Sequence, residues 1–242
     1  MTKKILNNVD HKDLKIDLRA TQAFGDHVNR TLIFSSEFSE LHKEFPILIH
    51  RDENTQELHA HAILGFEKDE NLFLENEAWQ STHIPATLAR GPFSIGLQKS
   101  DQQQGQAEDV VIMVDEADPR CGADGESVFL EQGGESPYLE YVKKVLQVID
   151  AGISLDKVLF ALLQEFKLLE EVAITINLTE DSQIEFKNYF TIDQEALARL
   201  GGDALAKLNQ AGVLGLAYFM VSSLANFTQL IDKKNMKTMA GL

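Results

Sequence analysis

A chain of 242 residues, 44% apolar and 25% charged, is long enough to bury a core without help from disulfides or metals, as one domain or as two closely packed subdomains. Its one cysteine, Cys121, excludes an internal disulfide and so a secretory disulfide framework. A net charge of −16 repels phosphate backbones and anionic bilayers, and no basic stripe with interleaved aromatics offsets it, which argues against nucleic acid as a partner.

The first residues carry Lys3 and Lys4 but no apolar run behind them, so no secretory signal is expected and the expected location is cytoplasmic. Residues 1–26 are polar and read as a loosely packed N-terminal segment. Val28 to Phe34 reads as a strand, and Ser35-Ser36 followed by acid reads as the N-cap of a helix that Pro46 ends. Residues 47–51 and 58–66 read as a hairpin across the polar connector 52–56. A short strand is expected at 71–74, and Trp79 with Ile84-Pro85 suggests a packed loop. Phe93 to Leu97 alternates as a strand, and 100–109 reads as an exposed polar connector. Val110 to Val114 is apolar throughout, the signature of a strand buried on both faces, and Ser127 to Leu130 reads as a short strand between glycine-rich turns.

From Pro137 the period becomes helical. Leu139, Val142, Val145, Leu146 and Ile149 form one helix that Gly152 is expected to stop, and Ser154 is expected to cap a second running to Phe166. A hairpin of 172–178 and 184–190 follows, then a short helix opened by Asp193, another opened by Asp203, and an apolar helix from about Val213. The stretch from Val213 to Leu224 is too short to span a bilayer and precedes polar Asn226, Thr228 and Gln229, so no transmembrane insertion is expected. Strands first and helices later, without regular crossover helices, predict an α+β fold: a mainly antiparallel sheet from the N-terminal half and helices mostly from the C-terminal half. One domain over 1–242 is expected, with 27–134 and 135–242 as the alternative subdivision.

Two clusters carry potential chemistry. All seven histidines fall by residue 83, and His59 and His61 share a strand face. If the hairpin turns near Asn54-Thr55, His50 lies opposite His59, and imidazoles on one face are ligands for zinc, iron or nickel. The bland alternative, a solvated hairpin face, is the preferred reading, so no metal is expected. The second cluster is Asp115, Glu116 and Asp118 beside Arg120. Carboxylates delivered by a buried strand suit Mg²⁺ or general-base chemistry. The alternative has Asp118 capping a turn before Pro119 while Arg120 bridges to a neighbouring acid, and this structural role is preferred. Arg120 would also lower the pKa of Cys121, although no Cys–His pair is visible in the sequence. There is no glycine-rich dinucleotide turn and no P-loop, and no particular cofactor is implied.

Several spaced elements resemble the bacterial SapC family, whose name comes from a gene linked to surface-layer proteins. They are Glu37-Phe38 with Phe45-Pro46-Ile47, then Leu64-Gly65 with Glu70-Asn71-Leu72-Phe73, then Trp79 with Ile84-Pro85 and Pro92-Phe93. The turn Asp115 to Arg120, Phe190-Thr191-Ile192-Asp193 and Gly212 to Tyr218 complete the series, which runs from about residue 24 to 231. The resemblance brings no defined reaction with it. It implies an accessory role, because genes of this family often neighbour those of halogenase-like and cupin-like proteins and of TonB-dependent receptors. The preferred reading is therefore a non-catalytic accessory or binding protein in nutrient uptake or in modification of a protein or small molecule. A metal-dependent enzyme using Asp115, Glu116 and Asp118, and a surface-layer component, are the alternatives. The partner is a protein or a small molecule, and self-association into a homo-oligomer stays open.

Overall fold

The structure, a computed structural model, describes residues 3–99, 108–172, 175–179, 182–185 and 188–239. In chain order the strands of the first half are β1 (Lys3–Ile5), β2 (Lys15–Ile16), β3 (Arg30–Ile33), β4 (Ile47–Arg51), β5 (Leu58–Ile63), β6 (Leu74–Glu75), β7 (Ala78–Trp79), β8 (Phe93–Lys99), β9 (Glu108–Asp115), β10 (Cys121–Gly122) and β11 (Glu126–Ser127). The second half adds β12 (Leu169–Glu171), β13 (Thr175–Thr179), β14 (Ser182–Glu185) and β15 (Tyr189–Ile192). The helices are α1 (Phe38–Leu41), α2 (Ala86–Ala89), α3 (Pro137–Glu165), α4 (Gln194–Ala198), α5 (Gly202–Gln210), α6 (Val213–Ser223) and α7 (Asn226–Met239). The strand pairs are antiparallel, the strands lie mostly in the first half and the helices mostly in the second, so the fold is α+β.

The chain divides into two compact units that interleave along the sequence: residues 1–26 with 86–150, and residues 27–85 with 151–242. The change of period near 134/135 falls inside the first unit, and the second is built from both halves of the chain.

The first unit contains the sheet β1-β9-β8 and the small sheet β10-β2-β11. Within the segment expected to be loosely packed, 1–26, the described residues include paired strands: Lys4 pairs with Val114, Ile16 pairs with Cys121 and Glu126, and Ile16 is fully buried. Ile16, Phe93, Val114, Val128, Leu139 and Val142 meet in one core, with Tyr138 and Cys121 at its margin. The strand expected to be buried on both faces is buried only at its end. Val114 is sealed in the core, whereas Val110 is 70% exposed opposite Leu97, because the hairpin β8–β9 runs on beyond the core residues.

The second unit is built on the sheet β12-β15-β4-β5-β3. The hairpin expected over residues 47–51 and 58–66 forms over 47–51 and 58–63, with His50 directly opposite His59. Ile33, Ile47, Ile49, Ala60, Ala62 and Ile192 are fully buried on one face of this sheet. Helix α6 packs on β4 and β15, and Ser223 on α6 accepts a hydrogen bond from the Ile47 backbone N–H at 2.9 Å. Asp193 caps α4 as expected, accepting from the Ala196 backbone N–H at 2.8 Å. The expected hairpin of 172–178 and 184–190 is divided: β13 pairs with β14, while Tyr189 to Ile192 leaves to pair with β12 and β4.

Gly152 does not stop a helix; α3 runs through it from Pro137 to Glu165. Its role is close approach, since a Cβ there would stand 2.3 Å from Cβ of Phe34 and 2.6 Å from Oγ of Ser36. The helix expected after Ser35 is a 3-10 turn followed by the single turn α1, with the Glu37 carboxylate accepting from the Phe34 backbone N–H at 3.0 Å. Helices α6 and α7 together, Val213–Met239, are long and apolar enough to cross a membrane by length and composition alone, with a break at Leu224-Ala225 between them. The polar connector expected at 100–109 lies mainly outside the described residues.

Candidate functional site

The acidic turn follows directly from β9. The Asp118 backbone N–H donates to the Asp115 carbonyl at 3.0 Å and the Cys121 N–H to the Asp118 carbonyl at 2.9 Å, which makes two consecutive tight turns. Side chains reinforce both: the Asp115 carboxylate accepts from the Ala117 N–H at 3.2 Å, and the Asp118 carboxylate from the Arg120 N–H at 2.9 Å. The chain then enters β10, where the Asp17 N–H donates to the Arg120 carbonyl at 3.0 Å and ties the turn to β2.

The three carboxyls leave this turn in different directions. Glu116 pairs with Lys4 at 2.6 Å and lies 3.3 Å from Nε2 of the buried His11, though without hydrogen-bond alignment to that nitrogen. The hydrogen bond from Lys4 holds the Glu116 carboxyl below the usual range. Asp118 turns inward to Arg120. The Arg120 guanidinium reaches Asp118 through Nη1 at 3.4 Å and Asp26 through Nη2 at 2.9 Å, and it lies 5.2 Å over the ring of Phe24. Asp26 is 94 residues away in the chain, and nothing in the spacing of the sequence announces it. Arg90 is also near: burial lowers its pKa, the charge of Asp118 opposes this in part, and its Nη1 donates to the Phe93 carbonyl at 2.7 Å.

Cys121 does not behave as an activated thiol. Burial, followed by the charges of Asp118, Asp115 and Glu116, pushes its pKa up to about 11, and Arg120 offsets this only in part. The thiol is therefore the wrong form for a nucleophile at neutral pH. Alkylation by iodoacetamide at pH 8 is expected to run about 100-fold slower than for a thiol of pKa 9.0, from the thiolate fractions alone. Labelling at the rate of an exposed cysteine would contradict this placement.

In the second unit the strand register gathers the histidines. His50 opposes His59, His61 opposes Leu48, and Tyr189 opposes His50, so all four polar side chains share the sheet face opposite the Ile47 and Ile49 core. The His50 and His61 rings are 5.5 Å apart, and the Tyr189 ring lies 4.9 Å from His50. The Tyr189 hydroxyl is 3.4 Å from Nδ1 of His61. Arg30 on β3 lies 5.7 Å over the Tyr189 ring, and its proximity acts to lower the pKa of the hydroxyl against burial. Burial, then the charges of His50, Arg30 and His59, pushes His61 down to about 3, and burial with Arg30 also lowers His50. Burial raises Tyr189 to about 12. Among the described residues no three His, Cys, Asp or Glu side chains are placed to hold a metal ion. Sequence pattern alone marks the three histidines; Arg30 and Tyr189 join them only through the order of strands β3-β5-β4-β15.

No curated protein and no solved structure matches this chain. A family model does, the SapC model, over residues 6–230, and this match takes in both the acidic turn and the histidine face. The chain belongs to the SapC family.

Proposed function

We propose that this SapC-family protein is a non-catalytic accessory protein of the bacterial cytoplasm. It would bind a protein or a small molecule in a nutrient-uptake or modification pathway. The observation that carries this reading is the divergence of the acidic turn. Asp115 serves a backbone N–H, Glu116 serves Lys4, and Asp118 serves Arg120, so the carboxyls do not converge on a point where a cation or a reacting atom would sit. The raised pKa of Cys121 supports the same reading.

Helix α6 is read as part of the protein core. Val213, Ala217, Met220 and Ser223 on one of its faces are buried, and Ser223 accepts the Ile47 N–H.

Melting with and without divalent cations tests the proposal. Millimolar Mg²⁺ or Mn²⁺ is expected to leave the melting temperature within about 1 °C, as for a protein without a site for them. A rise of several degrees that Asp118→Asn removes would favour the metal-dependent enzyme instead.

A further inference from the structure

We infer that the histidine face of the second unit is a binding site for a small oxyanion, a carboxylate or a phosphate, held by the Arg30 guanidinium beside the imidazoles of His50, His59 and His61. This deepens the binding reading by naming a ligand class, and it rests on that reading.

The polar side chains gathered on strands β3, β5, β4 and β15 of this face are the Arg30 guanidinium, the imidazoles of His50, His59 and His61 and the Tyr189 phenol, beside the apolar Leu32, Leu48 and Ile63; the carboxylate that the register adds, Glu170, sits on the edge strand β12, two strands from His50. Arg30 is exposed and has no ion-pair partner among the described residues, in a chain whose net charge is −16. The acids nearest the histidines have other partners or stand apart. Asp52 accepts from the Asn54 and Thr55 backbone N–H groups at 2.9 and 2.8 Å. Glu53 accepts from the Asn188 side-chain amide at 2.7 Å. Asp156 on α3 accepts from the Ser35 N–H at 2.8 Å, and burial raises its pKa, weakening it as a counter-charge to His59. Glu57 reaches Nε2 of His59 only at 3.9 Å and is itself exposed. A guanidinium with no internal carboxylate, beside half-buried imidazoles, is arranged for an anion brought from outside.

The Tyr189 hydroxyl lies 3.4 Å from Nδ1 of His61, and Tyr189 itself is buried. A bound oxyanion replaces the missing counter-charge, so it favours the imidazolium forms of His50 and His61 that Arg30 and burial disfavour in its absence. Binding then takes up protons and tightens as pH falls.

The test is an NMR titration of the histidine ring signals of the full chain, with inorganic phosphate and with succinate in separate arms, at pH 7.5 and pH 6. Saturable shifts of His50 and His61 are expected in at least one arm, tighter at pH 6, and about tenfold weaker in Arg30→Gln, which removes one charge-assisted contact at an exposed position. The responding arm tells phosphate from carboxylate. Three results would each overturn the inference: no saturable shift with either anion, shifts that Arg30→Gln leaves unchanged, or shifts produced by Zn²⁺ and by neither anion. Its failure is read on this face of the second unit, whereas the binding reading fails on a cation response of the acidic turn in the first.

Discussion

From pH 6.5 down to about pH 5 the protein is expected to lose about 2 kcal/mol of stability through His61 alone. The folded chain holds His61 near 3, against 6.5 for an unconstrained imidazole, because burial and the charges of His50, Arg30 and His59 oppose a positive ring. In this window the unfolded chain therefore binds a proton that the folded chain refuses. Stability is full above the unfolded pKa and falls with pH, at a slope approaching about 1.4 kcal/mol per unit. His50 is depressed for the same reasons and adds in the same sense. Asp156 acts in the opposite sense, because its raised pKa lets the folded chain take up a proton before the unfolded one does. Most depressed carboxyls, such as Glu70 beside Lys234 and Glu116 beside Lys4, contribute only below their ordinary value of 4.5, outside this window. Urea unfolding at pH 6.5 and 5 checks the expectation, with His61→Gln as the control in which the slope flattens. Equal pH slopes in the wild type and the variant would contradict the buried, neutral placement of His61.

Arg120→Ala is expected to cost about 3 kcal/mol, at the lower end for breaking a buried ion pair because the guanidinium is 13% exposed. The loss comes mainly from the buried Asp26, whose side chain is 6% exposed and would lose its 2.9 Å contact with the guanidinium. Arg120→Lys is expected to recover part of this and no more. Two nitrogens of the planar fork serve Asp118 and Asp26 at the same time, while the face of the group lies over Phe24; a single ammonium cannot hold both acids in that geometry. Thermal melting of the two variants provides the check, and a lysine variant as stable as wild type would show that the fork is dispensable.

The parts of this fold that sequence made legible are local. The hairpin from Ile47 to Ile63 and its His50–His59 register follow from alternation and a polar turn, and the Asp193 cap follows from an acid ahead of a helical period. What stayed hidden depends on distant partners. Gly152 looks like a helix stop, but it is small because Phe34 and Ser36 lie against it. Residues 1–26 look loose because their polar composition conceals Ile16, which is buried against β10 and β11. Tyr189 to Ile192 reads as the second strand of a local hairpin, yet its partners are β12 and β4. Several elements of the family pattern mark fixed turns and core positions. Gly65 lies where a Cβ would be 2.6 Å from the Glu70 carbonyl, and Glu70 in turn accepts from the Phe66 N–H and pairs with Lys234. The acidic turn was visible as a cluster, but its division among Lys4, Arg120 and the Ala117 N–H is a matter of three-dimensional direction that spacing does not carry.

Urea unfolding of Asp118→Asn, run with and without Mg²⁺ or Mn²⁺, tests most directly whether the acidic turn holds the fold or performs chemistry. A lower midpoint with an unchanged m-value is expected, a loss of about 1 kcal/mol for the weakened bond to Arg120, with no effect of either cation on the wild type or the variant. A variant with the wild-type midpoint that has lost a cation response present in the wild type would contradict it.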